Sequence, residues 1–86
     1  MDPYKVLKYP HMTEKSIGLV ERQNRLVFIV DRKSNKNQIK QAFEEAFNVK
    51  VDDITTMITR SGRKKAFIKL KPEYNAADVA VKLGII

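Results

Sequence analysis

The run of residues 26–30 is the feature that most constrains the fold of this chain. Its sequence is Leu-Val-Phe-Ile-Val, so every side chain is apolar and most are β-branched or aromatic. Because no polar residue alternates with the apolar ones, the run predicts a strand that is covered on both faces. A chain of 86 residues has room for only one core around such a strand. We therefore expect one domain over residues 1–86, with this strand at its centre.

Three helices are expected around the central strand. Thr13 is suited to cap a first, short helix over residues 13–21. Ser34 is the expected N-cap of the second helix, and Asn48 is its expected C-terminal stop. The apolar residues of this second helix share one stripe of a 3.6-residue period: Ile39, Ala42, Phe43, Ala46 and Phe47. A third helix is expected to follow Asn75, whose side chain suits an N-cap.

Two further strands, at residues 54–59 and 64–70, are expected to form a hairpin that turns at Ser61 and Gly62. Alternation divides the second of these strands between two faces, with Ala66, Ile68 and Leu70 on one and Lys65, Phe67 and Lys69 on the other. Residues 5–7 would add a short edge strand. The predicted fold class is α+β, an antiparallel sheet of three to four strands with helices packed on it, in the order (β)-α-β-α-β-β-α.

The charges of the chain are segregated along the sequence. Lysine and arginine number 17 against 10 acidic residues, a net charge of +7. Residues 32–43 and 54–72 carry cations and no carboxylate. Such segregation indicates a polyanionic partner, since a surface that needs only solubility works best with interspersed signs. The candidate RNA-binding residues in these segments are Arg32, Lys33, Lys36, Lys40, Arg60, Arg63, Lys64, Lys65 and Lys69.

Two positions add to this indication. Lys36 falls in the first turn of the second helix, where the helix dipole disfavours a cation by up to about 1 kcal/mol, and an anionic partner would offset that cost. Phe67 lies between Lys65 and Lys69 on one face of its strand, as a base-stacking residue would. The alternative that Phe67 packs beneath a helix remains open at this point.

The sequence offers little for catalysis. It has no cysteine and one histidine, His11, so thiolate metal sites and histidine clusters are excluded. Its three glycines are far apart, which excludes glycine-rich phosphate loops. No apolar run approaches the roughly 20 residues of a membrane span. We expect no enzyme activity, no catalytic residue, no metal, no cofactor and no direct membrane insertion.

Several stretches, taken in order and spacing, resemble the large-ribosomal-subunit protein twenty-three family, which lies at the rim of the polypeptide exit tunnel. They are residues 10–16 (PHMTEKS), 37–40 (NQIK), 47–51 (FNVKV), 54–56 (ITT) and 62–70 (GRKKAFIKL). The resemblance implies an antiparallel sheet with packed helices, a structural role in the large subunit, and binding to large-subunit ribosomal RNA. Lys15 and Lys50, inside these stretches, join the candidate RNA-binding residues.

The resemblance also implies partners at the tunnel exit. Glu14 matches the family's acidic residue that receives nascent-chain factors, and Phe47 and Asn48 match its neighbouring patch. Asn48 lacks the negative charge that bacterial members can carry, which favours the signal recognition particle and the protein translocon over a bacterial chaperone. Neighbouring ribosomal proteins are further expected partners, and the expected location is the ribosome in the cytoplasm.

The hairpin turn and the ending of the chain point to an archaeal-type member. Bacterial members carry a long extension in the hairpin, whereas this hairpin turns at Ser61 and Gly62. The last residues, 77–86, are similar to archaeal or eukaryotic forms. Two alternatives remain: a free-standing module that binds single-stranded RNA, and a small acylphosphatase-like hydrolase on a similar sandwich.

Overall fold

A computed structural model describes residues 3–84 as a four-stranded antiparallel sheet with helices. In chain order the elements are α1 (Pro3–Val6), β1 (Leu7–Pro10), α2 (Glu14–Gln23), β2 (Arg25–Val30), α3 (Lys36–Phe47), β3 (Val51–Ile58), β4 (Lys64–Leu70) and α4 (Ala76–Lys82). The strands lie in the order β1-β2-β4-β3, and each neighbouring pair is antiparallel. The predicted α+β class is confirmed.

Strand β2 occupies the middle of the sheet, as its apolar run predicted. All five residues from Leu26 to Val30 are buried. Leu26, Phe28 and Val30 belong to the main core, where the ring of Phe28 meets that of Phe43 on α3 edge-to-face at 5.6 Å. Alternation turns the intervening Val27 and Ile29 to the opposite side. Burial on both sides of the strand is therefore confirmed.

The side opposite the main core is here called the open face. It carries Val27 and Ile29 of β2, whose cross-strand neighbours on β4 are Phe67 and Lys65. Ala66, Ile68 and Leu70 are buried in the core, whereas the alternating residues of β4 are only half-buried. The predicted division of β4 into an apolar face and a face with cations and an aromatic ring is confirmed.

Capping residues in the local sequence explain where most of the helices begin and end. The Thr13 hydroxyl accepts the Ser16 N–H, and the Ser16 hydroxyl accepts the Thr13 N–H, which forms a capping box at the start of α2. Asn48 ends α3 in the left-handed conformation with φ 54°, as predicted. Gly62 has φ +84° in the hairpin turn, which explains a glycine there. Asn75 caps α4 by accepting the Ala77 N–H.

The predicted cap of the second helix was wrong by one residue. Asn35 caps α3, because its side chain accepts the Gln38 N–H at 2.8 Å while the Gln38 side chain accepts the Asn35 N–H at 3.0 Å. Ser34 is buried instead, and its carbonyl oxygen accepts a hydrogen bond from the Lys64 ammonium. Both residue types suit a cap, and the one that does not cap the helix, Ser34, is the one that contacts β4, which is distant in sequence.

Two strand boundaries also differ from the prediction. The edge strand is β1, at Leu7–Pro10 rather than residues 5–7, and a turn of helix precedes it. Pro3 favours that first helical turn, and the consecutive buried residues Val6 and Leu7 mark the change from helix to strand. Strand β3 begins at Val51, three residues before the predicted start. Its early part contains two aspartates, a residue type depleted in strands, and a bulge, so the strand propensity on which the prediction relied is low there.

Candidate nucleic-acid interface

The fold brings parts of the two acid-free basic segments together at the hairpin. The Lys64 ammonium donates to the Ser34 carbonyl oxygen, which ties β4 to the loop between β2 and α3. Arg32, in that loop, lies beside the hairpin turn, because a Cβ built on Gly62 would lie 3.5 Å from its guanidinium. Together with Lys8 and Arg63 these side chains line one cavity of about 300 Å³. We call Lys8, Arg32, Arg63 and Lys64 the hairpin cluster.

Arg63 is positioned within the hairpin cluster by a residue from the edge strand. Its guanidinium donates to the Tyr9 hydroxyl at 2.9 Å, and both side chains are exposed. A guanidinium held at one nitrogen keeps its remaining donors free for a planar anion such as phosphate. Lys64 is different, since it is half-buried and already bonded to Ser34. The cations most available in the cluster are therefore Arg32, Arg63 and Lys8.

A second group of candidates lies on and beside the open face. Lys65 and Phe67 line a cavity of about 230 Å³ together with Lys15 and Leu19 of α2. Phe67 is half-buried on this face, away from the main core. Lys69 follows on the same face, where its cross-strand partners are Arg25 and Asp53. Lys15, Lys65 and Lys69 thus flank a partly covered aromatic ring.

His11 lies at the same cavity, although it was not among the candidate RNA-binding residues predicted from the sequence. Burial, and then the charge of Lys65, lower the pKa of its imidazole below the ordinary value. A lowered pKa means that the ring is neutral at pH 7 and becomes charged only at a lower pH than a free histidine. Its backbone is held on both sides, since the His11 N–H donates to the Val27 carbonyl at 2.9 Å and the His11 carbonyl accepts from the Ser16 hydroxyl at 2.6 Å.

Lys36 and Lys40 lie apart from the hairpin cluster. They line a groove of about 200 Å³ beside the start of β3, together with Asp52 and Asp53. Two carboxylates of the chain itself therefore lie near the cations at the start of α3. Glu44, at the other end of this helix, accepts the Val51 N–H at 2.8 Å. Lys36, the cation that the helix dipole disfavours, thus has carboxylates of the chain itself nearby, and its position no longer requires an outside anion.

The remaining candidates are distributed over exposed loops, at Lys33, Lys50 and Arg60. Sequence reasoning missed Lys8, Tyr9 and Arg25, which the sheet brings beside the predicted cations. Arg25 lies opposite Lys69, and its buried Nε makes no hydrogen bond within residues 3–84. No sequence pattern predicted a binding role for these residues. Each is distant in sequence from the predicted cations beside it and reaches them only through strand pairing.

Acidic and aromatic side chains form a different cavity on the helical side. It has a volume of about 270 Å³ and is lined by Phe47, Asn48, Glu73, Tyr74 and Asp78, among others. We call this cavity the acidic cleft. Two predicted docking residues therefore lie together at the end of α3. Glu14 is exposed at the first position of α2 and does not line the cleft.

Comparison with known proteins identifies the family. Residues 5–83 match the family model described as ribosomal protein L23. The chain belongs to the ribosomal protein L23 family. It is 52% identical over 85 residues to the large ribosomal subunit protein uL23 of Methanothermobacter thermautotrophicus, and 49% and 52% identical over the same length to those of Methanococcus aeolicus and Methanococcus vannielii. Each match covers 99% of this chain and 99% of the relative.

Membership of the L23 family decides several expectations. The chain is a structural constituent of the large ribosomal subunit and acts in the cytoplasm as part of the ribosome. Its family is not enzymatic, which removes the acylphosphatase-like alternative. The relatives are archaeal, and this confirms the archaeal-type assignment made from the short hairpin and the ending. Among residues 3–84, no helix is long and apolar enough to cross a membrane.

Proposed function

We propose that this L23 family member binds large-subunit ribosomal RNA through the hairpin cluster and the open face, near the polypeptide exit tunnel. The observation that carries the proposal is the contact between Lys64 and Ser34, which joins two basic segments that lie about thirty residues apart in sequence. Their union concentrates cations at one end of the sheet. Concentrated cations bind RNA by neutralising phosphates and releasing counterions.

The arrangement also suits RNA beyond its charge. Arginines at the hairpin can contact phosphate with more than one donor, whereas the lysines of the open face act as point charges. Tyr9, 42% exposed, and Met57, 48% exposed, lie among these cations and provide apolar contact area. Neighbouring ribosomal proteins would then contact what the RNA leaves uncovered. Among the candidates, we expect Lys36 and Lys40 to contribute less than the hairpin cluster because carboxylates lie beside them.

The salt dependence of RNA binding tests this proposal. Affinity for RNA falls as salt rises, and we expect Lys65→Gln to make the plot of log affinity against log salt concentration less steep. The slope should shrink in magnitude by about 0.7 to 0.9, the value for one lost phosphate contact. The control is Lys82→Gln, which removes the same charge from the exposed end of α4, where Lys82 lines the acidic cleft away from the proposed RNA interface. The fold should be unaffected, because substitutions at accessible positions usually change stability by about 0.5 kcal/mol or less.

Three outcomes separate the alternatives. An unchanged slope for Lys65→Gln would show that the open face does not contact RNA. Slopes reduced equally in the two variants would show attraction by net charge alone. Equal affinity for unstructured RNA and for large-subunit RNA would favour the free-standing single-strand binder instead.

We further propose that the helical side receives factors that act on nascent chains, such as the signal recognition particle and the translocon. The acidic cleft supports this assignment, because its carboxylates repel phosphate and it lies apart from the cavities of the proposed RNA interface, and Glu14 is an exposed carboxylate at the start of α2. Phe47 and Tyr74 add aromatic contact surface to the cleft. Such a combination favours a partner that presents basic and apolar side chains.

Charge reversal at Glu14 tests the docking proposal. In reconstituted large subunits, we expect Glu14→Lys to weaken binding of the signal recognition particle at least fivefold, because an exposed favourable charge becomes a repulsive one. The matched control is Glu21→Lys, since Glu21 is also exposed on the same helix but lies about two turns further along it. Affinities of the two variants within twofold of the unchanged protein would contradict a role for Glu14.

A further inference from the structure

The cavity between α2 and the open face has a lining unlike that of the rest of the proposed RNA interface. Apolar side chains come from α2 (Leu19), β2 (Val27), β3 (Met57) and β4 (Phe67). Polar groups lie with them, at Lys15, Lys65 and His11. The cavity measures about 230 Å³, below the roughly 300–1,000 Å³ of sites for drug-sized ligands. A cavity of this size and lining suits one small, flat, apolar group that is attached to an anion.

We infer that this cavity receives a single unstacked base of the bound RNA, with the adjoining phosphate at Lys15 and Lys65. The inference rests on the proposed RNA-binding function and names what part of the RNA enters this site. A base that leaves its stack needs apolar or aromatic surfaces on its faces, and proteins supply these with side chains such as Phe67. The two lysines supply the charge that a phosphate requires.

The polar groups of the cavity are prepared for such a ligand. The His11 backbone is held by the Val27 carbonyl and the Ser16 hydroxyl, so the imidazole projects from a fixed position. Because the ring is neutral at pH 7, it has one donor and one acceptor, which match the mixed edge of a base. Ser16 is already committed to the capping box and to His11, and it is not free to bind the ligand.

The charge of the site favours a nucleotide over an apolar side chain of a protein. Lys15 and Lys65 would be left without an anion if a leucine or a phenylalanine filled the cavity. A nucleotide brings its own phosphate and satisfies both requirements. Lys65 also pairs across the sheet with Ile29, which lines the cavity of the hairpin cluster, so the site is continuous with the proposed RNA interface.

Filling the cavity tests the inference without changing its charge. We expect Leu19→Trp to weaken binding to large-subunit ribosomal RNA about tenfold, while the salt slope stays that of the unchanged protein because no phosphate contact is lost. Unpaired bases that the unchanged protein protects from dimethyl sulfate should become reactive at one or a few positions. The matched control is Gln23→Trp, an exposed position at the end of the same helix, which should leave affinity and protection unchanged.

A second variant protects the test against misfolding of the first. Phe67→Leu keeps an apolar residue on β4 but removes the aromatic surface, and we expect a severalfold loss of affinity with the same loss of base protection. Unchanged affinity and unchanged protection in both variants would overturn the inference. If the unchanged protein binds the RNA with a steep salt slope at the same time, the proposed function stands. Variants that bind RNA normally but lose a neighbouring ribosomal protein would overturn the inference in favour of a protein side chain.

Discussion

Replacement of Asn24 by alanine is expected to lower the free energy of unfolding by about 4 kcal/mol, from three side-chain hydrogen bonds worth roughly 1 kcal/mol each and about 1 kcal/mol for the left-handed backbone conformation. The Asn24 amide donates to the carbonyls of Tyr74 at 2.9 Å and Leu70 at 3.3 Å. Its carbonyl oxygen accepts the Ala76 N–H at 2.7 Å. Asn24 also ends α2 in the left-handed conformation with φ 56°, which alanine disfavours. One side chain thus joins the end of α2 to the end of β4 and the start of α4.

Asn48→Ala is the matched control for this prediction. Asn48 has the same left-handed conformation at φ 54°, but within residues 3–84 its side chain makes none of these hydrogen bonds. Its replacement should cost only the conformational preference, about 1 kcal/mol. Urea unfolding followed by circular dichroism measures both losses. Equal losses in the two variants would show that the side-chain bonds of Asn24 do not stabilise the fold.

The same experiment examines the domain organisation. We propose that residues 1–86 unfold as one cooperative unit, because Asn24 ties the last helix to the sheet. Circular dichroism and tyrosine fluorescence should then report coincident transitions. Separate transitions would indicate that α4 unfolds independently of the sheet.

Simultaneous replacement of Arg32, Arg63 and Lys65 by glutamine is expected to reduce affinity for large-subunit ribosomal RNA about 100-fold near physiological salt. The triple variant removes up to three phosphate contacts. Each lost contact should reduce the magnitude of the salt slope by about 0.7 to 0.9. Arg32 and Arg63 represent the hairpin cluster, and Lys65 represents the open face. Affinity measured by filter binding across a range of salt concentrations gives both quantities.

The control for the triple variant replaces Lys5, Lys71 and Lys82 by glutamine. These three lysines are exposed. None of them lines the cavity of the hairpin cluster or the cavity between α2 and the open face. The net charge falls equally in the two triple variants, so their difference measures placement alone. Equal losses of affinity would mean that net charge, and not a defined interface, accounts for the binding.

Local sequence patterns predicted most of the secondary structure correctly. The apolar run of β2, the alternation in β4 and the caps at Thr13 and Asn48 depend on neighbours within a few residues, and the structure has them as predicted. Ser34 shows where local information ended. It and Asn35 are equally good caps, and the bond from Lys64, thirty residues away, accompanies the burial of Ser34 and leaves Asn35 as the cap.

The candidate site divides in the same way between sequence and tertiary structure. The segregated charges along the chain already indicated a polyanionic partner, and the matched stretches indicated the family. Only strand pairing decided which cations are neighbours: Arg32 lies beside the hairpin turn, whereas Lys36 and Lys40 lie beside Asp52 and Asp53. Pairing of β1 with β2 likewise brought Tyr9 to Arg63. The physical reason is that composition and periodicity act through neighbours in sequence, while an interface is made of neighbours in space, which the sheet register sets.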